Sequence, residues 1–171
     1  ILGYIRVNPA DSCELRRVEK KEISPLDHDG ITRFMEAVQD HPLRALFLTT
    51  LFTGMRRGEV CGLRWDRVDL DNGIITIDKQ LQNIPGQPGA YRLVSTKNGK
   101  GRTLKVGRFL VDLLRQQKAE QEELKREVGE LWHEEGYVFC NAMGEHMSPS
   151  TVYHTFKRIA SDIGVPNARL H

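Results

Sequence analysis

Apolar residues recur with helical spacing in the stretch that follows Ser24-Pro25, which predicts a first helix. A second apolar set, from Leu43 to Phe52, stops at Gly54, a residue type that commonly ends a helix in the left-handed conformation. A third, shorter helix is expected over Arg56 to Leu63. The apolar positions of the first predicted helix are Ile31, Phe34, Met35 and Val38. The folded part of the chain is therefore predicted to begin with three helices.

The residues before this helical block show little hydrophobic periodicity. Asn8-Pro9 disfavours a helix, and the charged run that follows it contains little that a core could bury. We therefore predict a linker, or the tail of a preceding domain, over residues 1–22 and one folded domain over residues 23–171.

The pattern then changes from helical spacing to short β-branched runs. A turn cluster at Asp69–Gly73 precedes Ile74–Ile77, which is predicted as a strand. Two further strands are expected at Tyr91–Ser95 and Arg102–Val106, on either side of Asn98-Gly99, a dipeptide that favours a tight hairpin turn. The sequence thus predicts a hairpin closed at Asn98-Gly99 within a small three-stranded antiparallel sheet.

Helical spacing returns in the second half of the chain. One long amphipathic helix is predicted from Arg108 to Leu131, with its glutamates on the outer face. After an extended segment at Tyr137–Cys140, Ser148-Pro149 begins a last helix, which is expected to run to Gly164. The predicted fold class is α+β and mainly helical, with helices around the small three-stranded antiparallel sheet.

The composition is typical of a globular protein, with 39% hydrophobic and 28% charged residues. No apolar run is long enough to span a membrane. The three cysteines are odd in number and widely spaced, and the six histidines show no zinc-binding spacing. We therefore expect a soluble cytoplasmic protein that has no membrane partner and needs neither a metal nor another cofactor.

Charge is distributed unevenly, although the formal net charge is only +2. The stretch from Arg92 to Val111 contains no acidic residue. Exposed lysines around a turn often serve solubility alone, and a basic β-ribbon of this size also suits a DNA groove. The pattern by itself leaves both readings open. The basic residues of the stretch are Arg92, Lys97, Lys100, Arg102, Lys105 and Arg108.

The segment from Thr53 to Trp65 places an arginine where one helix ends and the next begins. A helix start favours anions, and a guanidinium there could bind two oxygens of a phosphate. Glu59, one turn after Arg56, would fix the orientation of that guanidinium. The spacing is equally typical of a surface arginine paired with a local glutamate.

This segment, Thr-Gly-Met-Arg-x-Gly-Glu-Val-x-Gly-Leu-Arg-Trp followed by Asp69-Leu70, resembles the first-arginine box of the tyrosine recombinases. The resemblance implies that Arg56 binds the scissile phosphate and that Glu59 supports it. It also implies that Lys97 is the catalytic lysine, with Lys100 as second choice, and that His171 opens the His-x-x-Arg box. The second arginine and the tyrosine nucleophile of that family would follow His171.

DNA contacts are implied by the resemblance in two further places, the basic ribbon and the last helix. The last helix has the simpler alternative of a solvated polar face. The candidate DNA-binding residues are Thr96, Lys100, Arg102, Ser148, Thr151, His154, Lys157 and Arg158.

The function implied by the resemblance is site-specific recombination or integration of a mobile element through a 3′-phosphotyrosine intermediate. Its implied partners are double-stranded DNA and further protomers, with a tetramer expected for the whole protein. The implied origin is a bacterium or a phage, and the implied location is the cytoplasm in association with the nucleoid. A chain that stops before the nucleophile is expected to bind DNA weakly and not to cleave it. Two alternatives stay open: a type IB topoisomerase, and a non-catalytic module that reads DNA with its basic hairpin.

Overall fold

The computed structural model describes residues 13, 26–87, 89–96 and 101–170. The predicted linker therefore lies outside the described residues, except for Cys13. Five α-helices occur in the described ranges: α1 (His28–Ala37), α2 (Arg44–Thr53), α3 (Arg57–Cys61), α4 (Arg108–Val128) and α5 (Pro149–Asp162). Short 3₁₀ turns at Trp65–Arg67 and Gly129–Leu131 follow α3 and α4.

Local capping explains where these helices begin and end. The Asp27 carboxylate accepts a hydrogen bond from the backbone N–H of Gly30 at 2.7 Å and so caps the start of α1. Helix α2 ends at Gly54, which adopts the left-handed conformation with φ 62°. Ser148 caps α5, and Pro149 takes its first position. The ends predicted for α2 and α5 from their glycine and Ser-Pro signals are confirmed to within two residues.

Two small antiparallel sheets lie between the helical blocks. The strands are β1 (Val68–Asp69), β2 (Ile74–Ile77), β3 (Lys79–Asn83), β4 (Tyr91–Ser95) and β5 (Arg102–Lys105). Strands β1, β2 and β5 form a three-stranded sheet in that order, whereas β3 pairs only with β4. A three-stranded antiparallel sheet is thus present as predicted, but β1 replaces β4 in it.

The predicted hairpin between β4 and β5 is wrong, because neither strand pairs with the other. Strand β4 pairs with β3, with Lys79 opposite Ser95, and β5 pairs with β2, with Ile77 opposite Arg102. Asn98-Gly99 lies outside the described residues, and the turn that joins β3 to β4 is made by the proline- and glycine-rich loop, where the Ile84 N–H bonds to the Ala90 carbonyl at 2.9 Å. Strand β3 escaped prediction because its sequence is polar except for Leu81, the one residue of this strand that is buried.

Strands β2 and β3 are separated only by Asp78, so they follow one another as one arm of a two-armed antiparallel ribbon. The other arm consists of β4 and β5, which residues 96–101 separate in sequence. The Thr96 N–H donates to the Asp78 carbonyl at 3.0 Å, which keeps the two arms together at this point.

The core joins the first and last helices through aromatic side chains. Phe34 of α1 lies 5.8 Å from Phe47 of α2 and 5.6 Å from Phe156 of α5, measured between ring centroids. All three rings are buried. Burial of such large apolar surfaces supplies the main driving force for folding. No helix within the described ranges is long and apolar enough to cross a membrane.

Helix α3 approaches the backbone of β3 unusually closely. A Cβ atom built on Gly58 would lie 2.6 Å from the Leu81 carbonyl oxygen, and one built on Gly62 would lie 3.0 Å from the Leu81 nitrogen. Two glycines one turn apart therefore give α3 a flat face that only a residue without a side chain allows. This close packing carries Glu59, the residue after Gly58, into the interior.

Candidate functional site

A single buried carboxylate organises the candidate site. Glu59 is 1% exposed, and its two oxygens accept four hydrogen bonds. Its Oε1 accepts from Nη1 of Arg56 at 3.1 Å and from Nη1 of Arg102 at 3.0 Å. Its Oε2 accepts from the backbone N–H of Arg56 at 2.9 Å and from Nη2 of Arg102 at 2.7 Å. A carboxylate has about four lone-pair positions, so its accepting capacity is used in full.

These hydrogen bonds determine the charge of Glu59. Burial by itself would raise the pKa of its carboxyl group, but hydrogen bonds from Arg102 and from Arg56 outweigh that effect and lower it below the ordinary value. The pKa of Arg102 is raised, chiefly by its hydrogen bonds to Glu59. Glu59 is therefore an anion at neutral pH between two cations, which leaves the cluster with one net positive charge.

Arg56 occupies the start of α3 and presents its side chain to solvent. Its backbone N–H and the side chain of Glu59 form one half of a capping box. The arginine side chain is 68% exposed, and the Glu59 contact engages its Nη1 nitrogen. The geometry leaves an oriented, exposed guanidinium, and the binding of a phosphate by Arg56 with support from Glu59 stays a prediction.

Arg102, predicted to contact DNA, directs its guanidinium fork to Glu59 and is 39% exposed. A direct DNA contact by Arg102 stays a prediction. Lys97 and Lys100 lie outside the described residues. The residues that flank them in sequence are held by the fold: Thr96 through the Asp78 carbonyl, and Arg102 through Glu59. Asp78 is itself paired with Arg67, whose Nε lies 3.1 Å from the carboxylate.

Helix α5 lies beside α3 and brings further polar residues near the cluster. The Arg57 guanidinium carbon lies 5.1 Å from the centroid of the Tyr153 ring, a cation–π contact that links the two helices. Of the predicted DNA-binding residues on α5, Thr151, His154 and Arg158 are exposed. These three are available to a ligand, and their DNA contacts stay predictions.

The two other predicted DNA-binding residues of this region have partners within the protein. The Ser148 hydroxyl accepts a hydrogen bond from the Thr151 N–H at 3.4 Å as the helix cap. The Lys157 ammonium donates to the carbonyls of Pro166 and Ala168. Lys157 thus holds the turn that leads toward His171, which lies outside the described residues.

Sequence reasoning missed the Arg102–Glu59 and Arg57–Tyr153 contacts. Each joins residues far apart in the chain, so no local spacing signals it. Within the described residues, no group of three or more His, Cys, Asp or Glu side chains is arranged to hold a metal ion.

Comparison with known proteins shows what this chain is similar to. The model of the "Phage integrase family" matches residues 24–171. A curated protein named "Tyrosine recombinase XerC-like" from Caldanaerobacter subterraneus subsp. tengcongensis is 28% identical, over 99% of this chain and 47% of its own length. "Tyrosine recombinase XerC" from Xylella fastidiosa (strain M23) is 38% identical over 44% of this chain and 27% of its own length.

Solved structures show the same fold. The Tn1549 transposon integrase, in complex with a circular intermediate DNA, superposes with a TM-score of 0.70 at 17% identity, over 92% of this chain and 49% of the integrase chain. A lambda integrase tetramer bound to a Holliday junction gives a TM-score of 0.56 at 19% identity, over 95% of this chain and 42% of that chain. The predicted fold class is confirmed. The chain spans about half the length of the curated relative that matches nearly all of it.

Proposed function

The chain belongs to the phage integrase family, whose model matches residues 24–171, and on that premise we propose that the full-length protein breaks and rejoins DNA at specific sites to recombine or integrate a mobile element. The tyrosine-recombinase resemblance seen in the sequence is confirmed by the names of its relatives. The observation that carries the proposal is the exposed Arg56 guanidinium held by buried Glu59.

In the proposed reaction, a tyrosine hydroxyl attacks the scissile phosphate. The phosphorus–oxygen bond to the 5′-oxygen breaks, which leaves a 3′-phosphotyrosine and a free 5′-hydroxyl. Negative charge builds up on the five-coordinate phosphate, and a fixed cationic donor stabilises that charge without reorganising. Arg56 is this donor. By the family resemblance the nucleophilic tyrosine follows the box that His171 opens, and His171 assists by hydrogen-bonding the phosphate or moving a proton.

Lys97 is the proposed general acid, which gives its proton to the leaving 5′-oxygen. The described residues beside it support this role. The chain enters β5 at Arg102, which binds the same carboxylate as Arg56. The segment that contains Lys97 is therefore joined directly to the Arg56–Glu59–Arg102 cluster, whose exposed guanidinium is assigned to the phosphate.

DNA and further protomers are the proposed partners. Two structural relatives were solved in complex with DNA, the Tn1549 integrase with a circular intermediate DNA and the lambda integrase as a tetramer on a Holliday junction. The relatives are named recombinases and integrases, which favours neither a type IB topoisomerase nor a non-catalytic DNA-binding module. A cytoplasmic location fits the bacterial source of the matched recombinases, and association with the nucleoid is part of the proposal.

Covalent trapping on a suicide DNA substrate tests this function. The full-length protein should form a protein–DNA adduct, and Arg56→Ala should slow its formation by about 100- to 1,000-fold, the usual cost of losing one donor to a developing oxyanion. Lys97→Ala should slow cleavage strongly but leave DNA affinity nearly unchanged. Absence of any adduct with cognate DNA would contradict the function.

Arg57→Ala is the matched control, because it removes a neighbouring arginine that packs on Tyr153. It should cleave nearly as fast as the unaltered protein. Equal loss in Arg56→Ala and Arg57→Ala would contradict the assignment of Arg56 to the phosphate. A truncated variant that stops after His171 should bind DNA weakly and give no adduct, so an adduct from it would contradict the placement of the nucleophile.

A further inference from the structure

We propose that Arg102 is a positioning residue. It neutralises the charge of Glu59, so that the carboxylate does not cancel the attraction of Arg56 for the phosphate. The catalytic part of this proposal rests on the function proposed above. Its physical basis is the charge balance of the Arg56–Glu59–Arg102 cluster.

A carboxylate beside a phosphate-binding arginine has two opposing effects. It orients the guanidinium, but its negative charge also cancels the attraction that the arginine exerts on a phosphate. An isolated Arg56–Glu59 pair would have no net charge, and the buried carboxylate would repel an incoming anion at short range. Arg102 supplies the second positive charge that removes this repulsion.

The geometry divides the two arginines between these tasks. Arg102 donates through both Nη atoms to both oxygens of Glu59, at 3.0 and 2.7 Å. Arg56 reaches Glu59 through one Nη atom and its backbone, and its side chain is the more exposed of the two, at 68% against 39%. The paired charge is therefore turned inward, and the net positive charge lies on the exposed side.

The backbone holds Arg102 in this position. It is the first residue of β5 and lies opposite Ile77, a core residue that is 2% exposed. The guanidinium is held by two hydrogen bonds to Glu59, and the backbone is held by strand pairing with β2, so both ends of the side chain are fixed. Lysine has a positive charge but cannot reproduce the planar fork.

The test is a double-mutant cycle in the full-length protein with Arg102→Gln, Glu59→Gln and the double variant. Adduct formation should fall about 100-fold in Arg102→Gln, because the uncompensated carboxylate of Glu59 then offsets the stabilisation that Arg56 gives to the developing phosphate charge, a loss comparable to removing one donor. The double variant should regain about 10-fold or more of this loss, because the uncompensated carboxylate is gone as well. A role limited to anchoring β5 predicts no recovery, since the double variant also lacks the anchor.

Arg115→Gln is the matched control, because Arg115 also pairs with carboxylates, namely those of Asp71 and Asp112, but these are exposed. It should cleave at the unaltered rate. Urea unfolding of each variant separates loss of folding from loss of function. The double variant contains no unpaired buried charge, so it keeps the test valid if Arg102→Gln alone fails to fold.

A second measurement makes failure of this proposal distinguishable from failure of the proposed function. Affinity for duplex DNA falls as the salt concentration rises, and the magnitude of the slope of log affinity against log salt concentration should be smaller by about one in Arg102→Gln. It should return to the original magnitude in the double variant. If the unaltered protein binds DNA but gives no adduct, the proposed function is contradicted and the salt slopes still decide the role of Arg102. Normal cleavage by Arg102→Gln, or a double variant no better than Arg102→Gln, overturns the role of Arg102.

Discussion

Replacing Gly58 by alanine tests whether the packing of α3 on β3 determines both stability and the site. The added Cβ would lie 2.6 Å from the Leu81 carbonyl oxygen, whereas ordinary contact begins near 3.4 Å. Leu81 cannot retreat freely, because it is paired with Leu93 in the β3–β4 ladder. Helix α3 must therefore move away by roughly 0.8 Å, the difference between those two distances.

The size of the effect follows from two opposing contributions. Overpacking of a tight contact costs about 1–3 kcal/mol. Alanine gains up to about 1 kcal/mol over glycine in a helix. We expect Gly58→Ala to lower the free energy of unfolding by about 1–2 kcal/mol and the melting temperature by about 2–4 °C per kcal/mol for a chain of this size.

The same displacement should weaken the site. Glu59 follows Gly58 directly, and its hydrogen bonds to Arg102 now measure 2.7 and 3.0 Å. A shift of roughly 0.8 Å away from Arg102 would bring the first to about the limit of hydrogen bonding and the second beyond it. Gly58→Ala should therefore slow adduct formation more than the loss of stability explains.

The assay is urea unfolding alongside suicide-substrate cleavage, with Gly107→Ala as control. A Cβ on Gly107 meets no atom within 4 Å. The control should therefore change the free energy of unfolding by less than about 0.5 kcal/mol. A Gly58→Ala variant as stable and as active as the unaltered protein would refute the reasoning.

Three further predictions concern ionisable groups. The pKa of Glu59 is lowered in the folded state, so its stabilising contribution is present above its ordinary pKa and is lost as the pH falls through the lowered value. The urea midpoint of Glu59→Gln should therefore fall less on acidification than that of the unaltered protein. Parallel curves of urea midpoint against pH for the two proteins would contradict this. Burial raises the pKa of the Cys61 thiol to about 12, so iodoacetamide near pH 8 should alkylate exposed Cys13 and reach Cys61 only on unfolding, as peptide mass analysis would show. Early labelling of Cys61 would count against a buried thiol. In DNA-binding titrations, Arg56→Ala should reduce the magnitude of the slope of log affinity against log salt concentration by about one. An unchanged slope would mean that Arg56 does not contact a phosphate.

Local signals in the sequence were sufficient for the helices and for half of the cluster. Gly54 ends α2 and Ser148-Pro149 begins α5 because capping depends on neighbouring residues. Arg56 and Glu59 lie within one turn, so their contact could be predicted from spacing alone. The Arg102 contact could not, because it joins residues 43 positions apart.

The prediction of the strand pairing was wrong for a related physical reason. Asn98-Gly99 is a strong local turn signal, but the partner of a strand is chosen by which apolar faces can be buried together. Ile75 and Ile77 of β2 are buried core residues, and β5 pairs with them. The energy of that burial outweighs a local turn preference, and β4 is left to pair with β3.

Strands β4 and β5 belong to separate ladders, so the two ladders keep their registers independently. Strands β4 and β5 are each pinned to their own partner, on either side of Asp78. Extra residues inserted between Ser95 and Arg102 would shift neither ladder, because each strand keeps its own partner. An insertion there that leaves Lys97 in place would therefore keep the arginine–glutamate cluster in register.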